Sequence, residues 1–288
     1  MKLLPENFGK IFFTNAGADA NENAIKIARL YTGRKKVFSR YRSYHGSSFG
    51  AGNLTGEPRR YPLEPGIPGF VKFFDPYVYR EKIRFASERE AAAFYVAKLR
   101  EQVIYENPDE VAAIVMETIT GSNGVIIPPD GYLEGVRKLC DEFGIVMVCD
   151  EVMAGFCRTG KMFAFENWGI QPDLVSFAKG VTCGYTQLGG VAVSTKIASY
   201  FDDHLLSCGL TYSGHPLSCA AGCASTGLPR WSFMPASRQR SPPACDLQSW
   251  RCRTAAPDRR AFLPGATAPS PRPRQTHPSP PRKSGSRA

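Results

Sequence analysis

Four short, largely apolar runs, separated by stretches of helical period, leave this chain few folds to choose from. Residues 111–116, 145–149, 174–178 and 190–194 read as strands, and residues 131–143 and 196–203 as the helices between and after them. A strand that is apolar at every position has both faces buried, so helices must cover the sheet on both sides. The pattern therefore predicts an α/β domain built on a mostly parallel sheet. Upstream, Ala20, Ala24, Ile27, Ala28 and Tyr31 recur at helical spacing over residues 19–31, and Gly33 closes that helix. Val37-Phe-Ser reads as a short strand, residues 56–69 as a Gly- and Pro-rich surface excursion, and residues 87–106 as a long amphipathic helix. No internal repeat is visible.

The basic excess of ten charges suggests a nucleic-acid or membrane partner until its distribution is inspected. From residue 226 onward, eleven Arg and Lys283 face only Asp246 and Asp258, while the first 225 residues hold equal numbers of each sign. Twelve of the 23 prolines also fall after residue 225. That Pro- and Arg-rich tail has no sustained apolar period, and it is expected to be disordered. The balanced body excludes a nucleic-acid-binding core. Nine cysteines without a Cys-x-x-Cys pair are expected to be small buried residues in a reducing compartment. Pro5 and Glu6 interrupt the apolar start, and no apolar run approaches a membrane span of about 20 residues. A cytoplasmic location is expected.

In such a sheet, ligands bind beyond the carboxyl ends of the strands, so the residues at the strand exits carry the functional reading. Glu117 follows the first run, Asp150-Glu151 the second and Lys179-Gly180 the third. Gly17-Ala18 opens the first helix, whose leading amides lack intrahelical partners and favour an anion such as phosphate; a plain turn capped by Asp19 is the alternative. Lys179, next to a buried strand, is expected to be desolvated and thereby nucleophilic toward a carbonyl. Asp150 on a neighbouring strand can pair with a protonated ring nitrogen. Together, an imine-forming lysine, an acid for a pyridinium and a phosphate-binding helix start match the three handles of pyridoxal phosphate.

Seven segments in order resemble the class III pyridoxal-phosphate aminotransferases, a fold-type-I family. They are Phe13-Thr-Asn-Ala-Gly-Ala-Asp-Ala-Asn-Glu-Asn-Ala-Ile-Lys, Tyr44-His-Gly, Glu117 with Gly121 and Gly124-Val-Ile-Ile-Pro-Pro-Asp-Gly-Tyr, Asp150-Glu-Val-Met-Ala-Gly-Phe, Arg158-Thr-Gly, Phe177-Ala-Lys-Gly and Thr211-Tyr-Ser-Gly-His-Pro. The resemblance implies that Lys179 forms the Schiff base and then moves a proton, and that Asp150 keeps the pyridine nitrogen protonated. It implies that Val152 and Tyr44 cover the two ring faces, that Gly17 and Ala18 hold the phosphate, and that Glu117 supports the site as a second carboxylate. Thr211 is implied to reach the phosphate of a partner subunit's cofactor, which makes a homodimer the expected assembly. His45 and Glu151 are read as structural, and Arg158 as pairing with a structural acid, with a substrate carboxylate as the alternative.

Local similarity around Gly17, Arg40-Tyr-Arg-Ser-Tyr-His-Gly and Leu54-Thr-Gly-Glu-Pro-Arg-Arg is greatest to taurine:pyruvate and related ω-amino-acid:pyruvate enzymes. The implied activity is transfer of an amino group from an amino acid or ω-amino acid to a keto acid such as pyruvate. An aminomutase on the same fold, or a catalytically inactive fragment, are the alternatives. Residues 1–225 are expected to form a partial large domain, shortened at both ends and without the family's small C-terminal domain. The abrupt change of composition after Ala224-Ser225 is what an out-of-frame reading of GC-rich coding sequence produces. Cys157 stands where a glycine is usual before Arg-Thr-Gly, and Gln187 where a proline is usual.

Overall fold

The computed structural model describes residues 3–227. Seven strands form one sheet in the order β1-β7-β6-β5-β4-β2-β3. They are β1 (Phe8–Thr14), β2 (Lys36–Arg40), β3 (Phe70–Phe73), β4 (Val111–Glu117), β5 (Val146–Asp150), β6 (Leu174–Phe177) and β7 (Gly189–Ser194). From β6 to β3 all neighbours run parallel, whereas β7 is antiparallel to both β6 and β1. The mostly parallel sheet expected from the apolar runs is present.

The helices are α1 (Gly17–Thr32), α2 (Phe49–Leu54), α3 (Glu88–Tyr105), α4 (Tyr132–Phe143), α5 (Thr195–Asp203) and α6 (Pro216–Gly227). The strand pleat sorts alternate residues to opposite faces, and the core follows this rule. Ala113, Val115, Val146, Val148 and Leu174 pack with Ala20, Ala24, Ile27 and Ala28 of α1 and Ile197 of α5. Their neighbours Ile114, Met116, Met147, Cys149 and Val175 pack with Tyr95 and Leu99 of α3 and Leu133 and Val136 of α4. Gly33 ends α1 at φ 70°, a left-handed cap that glycine adopts without strain, and its N–H reaches the Arg29 carbonyl at 2.9 Å. Ser87 caps α3 by accepting from the Glu90 N–H at 3.2 Å.

Several elements had no sequence signal. β1 pairs along one edge of β7 with an irregular burial pattern, and β3 is a four-residue edge strand, so neither has an apolar run. Residues 56–69 hold a 3-10 helix at Pro58–Leu63 within the expected excursion. α6 carries helix through Gly227, two residues into the stretch expected to be unstructured; residues 228–288 of that stretch lie outside the described residues. The cysteine expectation holds in part. Cys140 and Cys149 are buried, with burial raising both thiols, that of Cys140 to about 12. Cys157, Cys183 and Cys223 are exposed, because they stand on turns and on the outer side of α6, and none of the described cysteines is bridged. Among the described residues, no helix is long and apolar enough to cross a membrane.

Candidate functional site

The same pleat that builds the core sets the site. Two residues beyond Val115, Val148 and Leu174, the α1-side positions of β4, β5 and β6 become Glu117, Asp150 and Ser176. These three lie abreast, because Glu117 pairs with Asp150 and Asp150 with Ser176. All three are nearly or fully buried.

Asp150 is held from three directions. Its Oδ2 accepts from Asn21 Nδ2 of α1 at 2.7 Å and lies 2.7 Å from His45 Nδ1; its Oδ1 accepts from the Val152 N–H at 3.0 Å. A carboxylate only accepts, so His45 carries its proton on Nδ1. Oδ1 retains a lone pair for one further donor. His45 Nε2 and Asn21 Oδ1 are buried without partners among the described residues.

Glu117 uses both oxygens on backbone amides, Oε1 on Tyr44 at 3.0 Å and Oε2 on Gly121 at 2.7 Å. It thereby fixes the loop that carries Tyr44 and the turn at Gly121. Beneath it, the fully buried Arg40 donates to the Glu117 carbonyl. The Tyr44 loop is seated on the start of α1, where a Cβ added to Gly46 would come within 2.6 Å of Ala18 Cβ. The guanidinium of Arg59 lies 3.8 Å from the centre of the Tyr44 ring.

The first turn of α1 is open. Its N-cap is Ala16, which has no side-chain acceptor, so the expected cap by Asp19 does not form; Asp19 lies inside the first turn. The amides of Gly17, Ala18 and Asp19 have no protein acceptor among the described residues. Close packing brings this turn to the β5 exit: a Cβ on Gly17 would meet both Val152 methyl carbons at 2.8 Å, so only glycine allows the approach. Thr211 is exposed and held to the same end of the molecule, its carbonyl accepting from Asn15 Nδ2 at 2.9 Å.

Lys179 departs from expectation. β6 ends at Phe177, so Lys179 stands in the 3-10 turn beyond the sheet; it is exposed rather than desolvated. Its backbone occupies the left-handed region at φ 46°, uncommon for a residue with a side chain. Gly180 beside it is packed closely, since a Cβ there would reach Phe156 Cβ at 2.8 Å. Arg158 is exposed and forms no ion pair among the described residues, so the structural pairing expected for it is not found.

Glu151 is structural. It is fully buried and accepts from the Thr118 hydroxyl and from the amides of Ala164 at 2.9 Å and Phe165 at 3.0 Å. Burial pushes its carboxyl up from 4.5 to about 7, against those three donors. Sequence reading missed Asn21, Ser176 and Arg59 as parts of this region. Asn21 carried a usable signal, a polar residue on the helix stripe next to Ala20 and Ala24; Ser176 inside a strand carried none, and Arg59 was marked only by its place in the Leu54-Thr-Gly-Glu-Pro-Arg-Arg resemblance.

With this geometry in view, the model of the family described as aminotransferase class-III matches residues 1–228. The chain belongs to the class-III aminotransferases. A probable aminotransferase of Mycobacterium tuberculosis is 36% identical over 236 residues, covering 79% of this chain and 50% of the relative. The diaminobutyrate–2-oxoglutarate transaminase of Halomonas elongata is 34% identical, covering 79% of this chain and 52% of its own length. Among solved structures, the taurine:2-oxoglutarate aminotransferase of Bifidobacterium kashiwanohense, in complex with PLP and glutamate, is 57% identical. It superposes with a TM-score of 0.77 over 78% of this chain and 52% of its own. A thermostable (S)-enantioselective omega-transaminase from Thermomicrobium roseum is 40% identical, with a TM-score of 0.76 and the same coverage. The chain spans about half the length of the relatives it matches.

Proposed function

We propose that residues 1–225 form part of the cofactor-binding domain of a pyridoxal-phosphate-dependent transaminase, acting on an amino acid or ω-amino acid and a keto acid such as pyruvate. The observation that carries this reading is the clamped Asp150 carboxylate, with one lone pair unused, beside an uncapped helix start. These groups fit the cofactor: a fixed anion suits a protonated ring nitrogen, and three free amides at a positive helix end suit a phosphate. When bound, pyridoxal phosphate supplies a ring that accepts electrons from the carbon bearing the substrate's nitrogen.

The chain's own groups do the rest. Gly17 and Ala18 hold the phosphate through backbone N–H groups, and the absence of a Cβ at residue 17 lets that turn close on Val152. Asp150 would hold a proton on the ring nitrogen, while Asn21 and His45 keep its carboxylate aimed. Val152 and Tyr44 cover the ring faces, and Glu117 sets the height of Tyr44 through its backbone amide. Lys179 is the attachment point for the cofactor and afterwards the base that takes and returns the proton at the substrate carbon. Its place on an exposed turn leaves the amine free to swing between those tasks. Thr211 serves a partner subunit in a homodimer, and the cytoplasm is the proposed location; the exposed Thr211 and the seven described cysteines, all unbridged, support these readings.

The test is the visible spectrum of the purified chain with pyridoxal phosphate, with Lys179→Ala alongside. The wild type is expected to develop the absorption band of lysine-bound cofactor and the variant to lack it. A wild-type spectrum equal to that of the variant overturns the reading.

A further inference from the structure

We infer that Phe156 is a positioning residue for Lys179: it braces the turn that carries the lysine in its left-handed conformation, and so aims the amine at the cofactor. The inference rests on the proposed function. Lys179 is exposed, and its side chain enters no hydrogen bond or ion pair among the described residues, so the backbone sets the direction in which it leaves the chain. That backbone stands at φ 46°, which a residue with a Cβ keeps only where its surroundings oppose relaxation.

Phe156 meets the turn on both sides of the lysine. On the far side, a Cβ on Gly180 would come within 2.8 Å of Phe156 Cβ and 3.3 Å of its ring carbons, so this approach admits no side chain. On the near side, the Phe156 ring lies 5.8 Å from that of Phe177, the two planes steeply inclined at 67°. Phe156 is itself left-handed at φ 56°, so one strained turn is pressed against another. Such outliers gather where a fold holds working groups in place.

The brace is anchored in the core. The Phe156 ring packs on Phe163 at 5.5 Å, and Phe163 stacks on Phe165 at 5.7 Å with nearly parallel planes. The buried Glu151 carboxylate holds the amides of Ala164 and Phe165, so a line of contacts runs from Glu151 through Phe163 and Phe156 to Gly180. Support from α6 bears on the other end of the turn, where Cys183 Sγ lies 3.0 Å from Ser225 Oγ and Gly222 rests against Val181. Phe156 is the contact that brackets the lysine.

The experiment adds pyridoxal phosphate to the full chain and follows the band of lysine-bound cofactor in time. In that step the neutral Lys179 amine adds to the cofactor's aldehyde carbon, a C=N bond forms, and the aldehyde oxygen leaves as water with both amine protons. Phe156→Leu is expected to slow the band by about tenfold or more, as a misaimed nucleophile does. Gly180→Ala, which drives a methyl against Phe156, is expected to slow it as well, and Phe156→Tyr to keep most of the rate. Phe38→Leu, in the core on β2 and three strands from β6, is expected to lower the melting temperature and leave the rate unchanged. Because Phe156 acts through Lys179, the cofactor affinity of a Lys179→Ala chain, read by quenching of protein fluorescence, is expected to be the same with and without Phe156→Leu. Wild-type rates in Phe156→Leu or Gly180→Ala, or a loss of affinity from Phe156→Leu in the Lys179→Ala chain, overturn the inference and leave the proposed function standing. A wild-type chain that forms no such band overturns the proposed function, and the inference falls with it.

Discussion

At the scale of single residues, one buried and one half-buried ionisable group outside the catalytic reading give this molecule an unusual pH response. Burial raises Glu151 from 4.5 to about 7, so between those values the folded state binds more protons than the unfolded chain, and stability falls as pH rises. Burial lowers Lys72 from 10.5 to about 7, so above 7 the unfolded chain binds more protons and stability rises again toward pH 10.5. These two groups therefore place a trough in stability near neutrality, measurable by urea unfolding across pH. Glu151→Gln is expected to flatten the acid limb and Lys72→Met the alkaline one. Glu151→Gln also turns an amide NH₂ toward the Ala164 N–H, costing about 1–3 kcal/mol at low pH for an unsatisfied buried donor. The placement of Asp150 and Glu117 at the strand ends was legible in the sequence because acids follow apolar runs there. The partners His45 and Asn21 were not placed, because they reach Asp150 across more than a hundred residues and only the folded chain brings them together.

At the scale of elements, strands β4, β5, β6 and β7 and helices α1, α3, α4 and α5 follow from apolar period alone, with boundaries shifted by one or two residues. β1 and β3 did not announce themselves, since edge strands are partly solvated and need no continuous apolar run. The expectation of a desolvated Lys179 failed for a local reason: the sheet stops two residues earlier, and the chain climbs out of it. The turn after β5 holds a second tight spot, with Phe156 at φ 56° and Cys157 at φ 67°, both in the left-handed region. Cys157 is the position where glycine is usual, and its exposed side chain has little packing to lose. Cys157→Gly is expected to stabilise the protein by about 1 kcal/mol, read as a higher urea midpoint at unchanged m-value.

At the scale of the whole molecule, a site assembled from the exits of β1, β4, β5 and β6 couples ligand binding to folding, because the unfolded chain offers no such site. Pyridoxal phosphate at a hundredfold excess over its dissociation constant is expected to stabilise the fold by about 2.7 kcal/mol, seen as a raised melting temperature. Lys179→Ala is expected to lose much of that increment while melting normally without cofactor. The sheet order has a further consequence for how the chain is made. Phe8 of β1 pairs with Ser194 of β7, so β1 leaves the ribosome well before the edge it docks on has been synthesised. At about 5–20 residues per second, this wait is on the order of ten seconds or more. During it, Ile11, Phe12 and Phe13 are an unpaired sticky end, and early encounters with a chaperone belong to that interval.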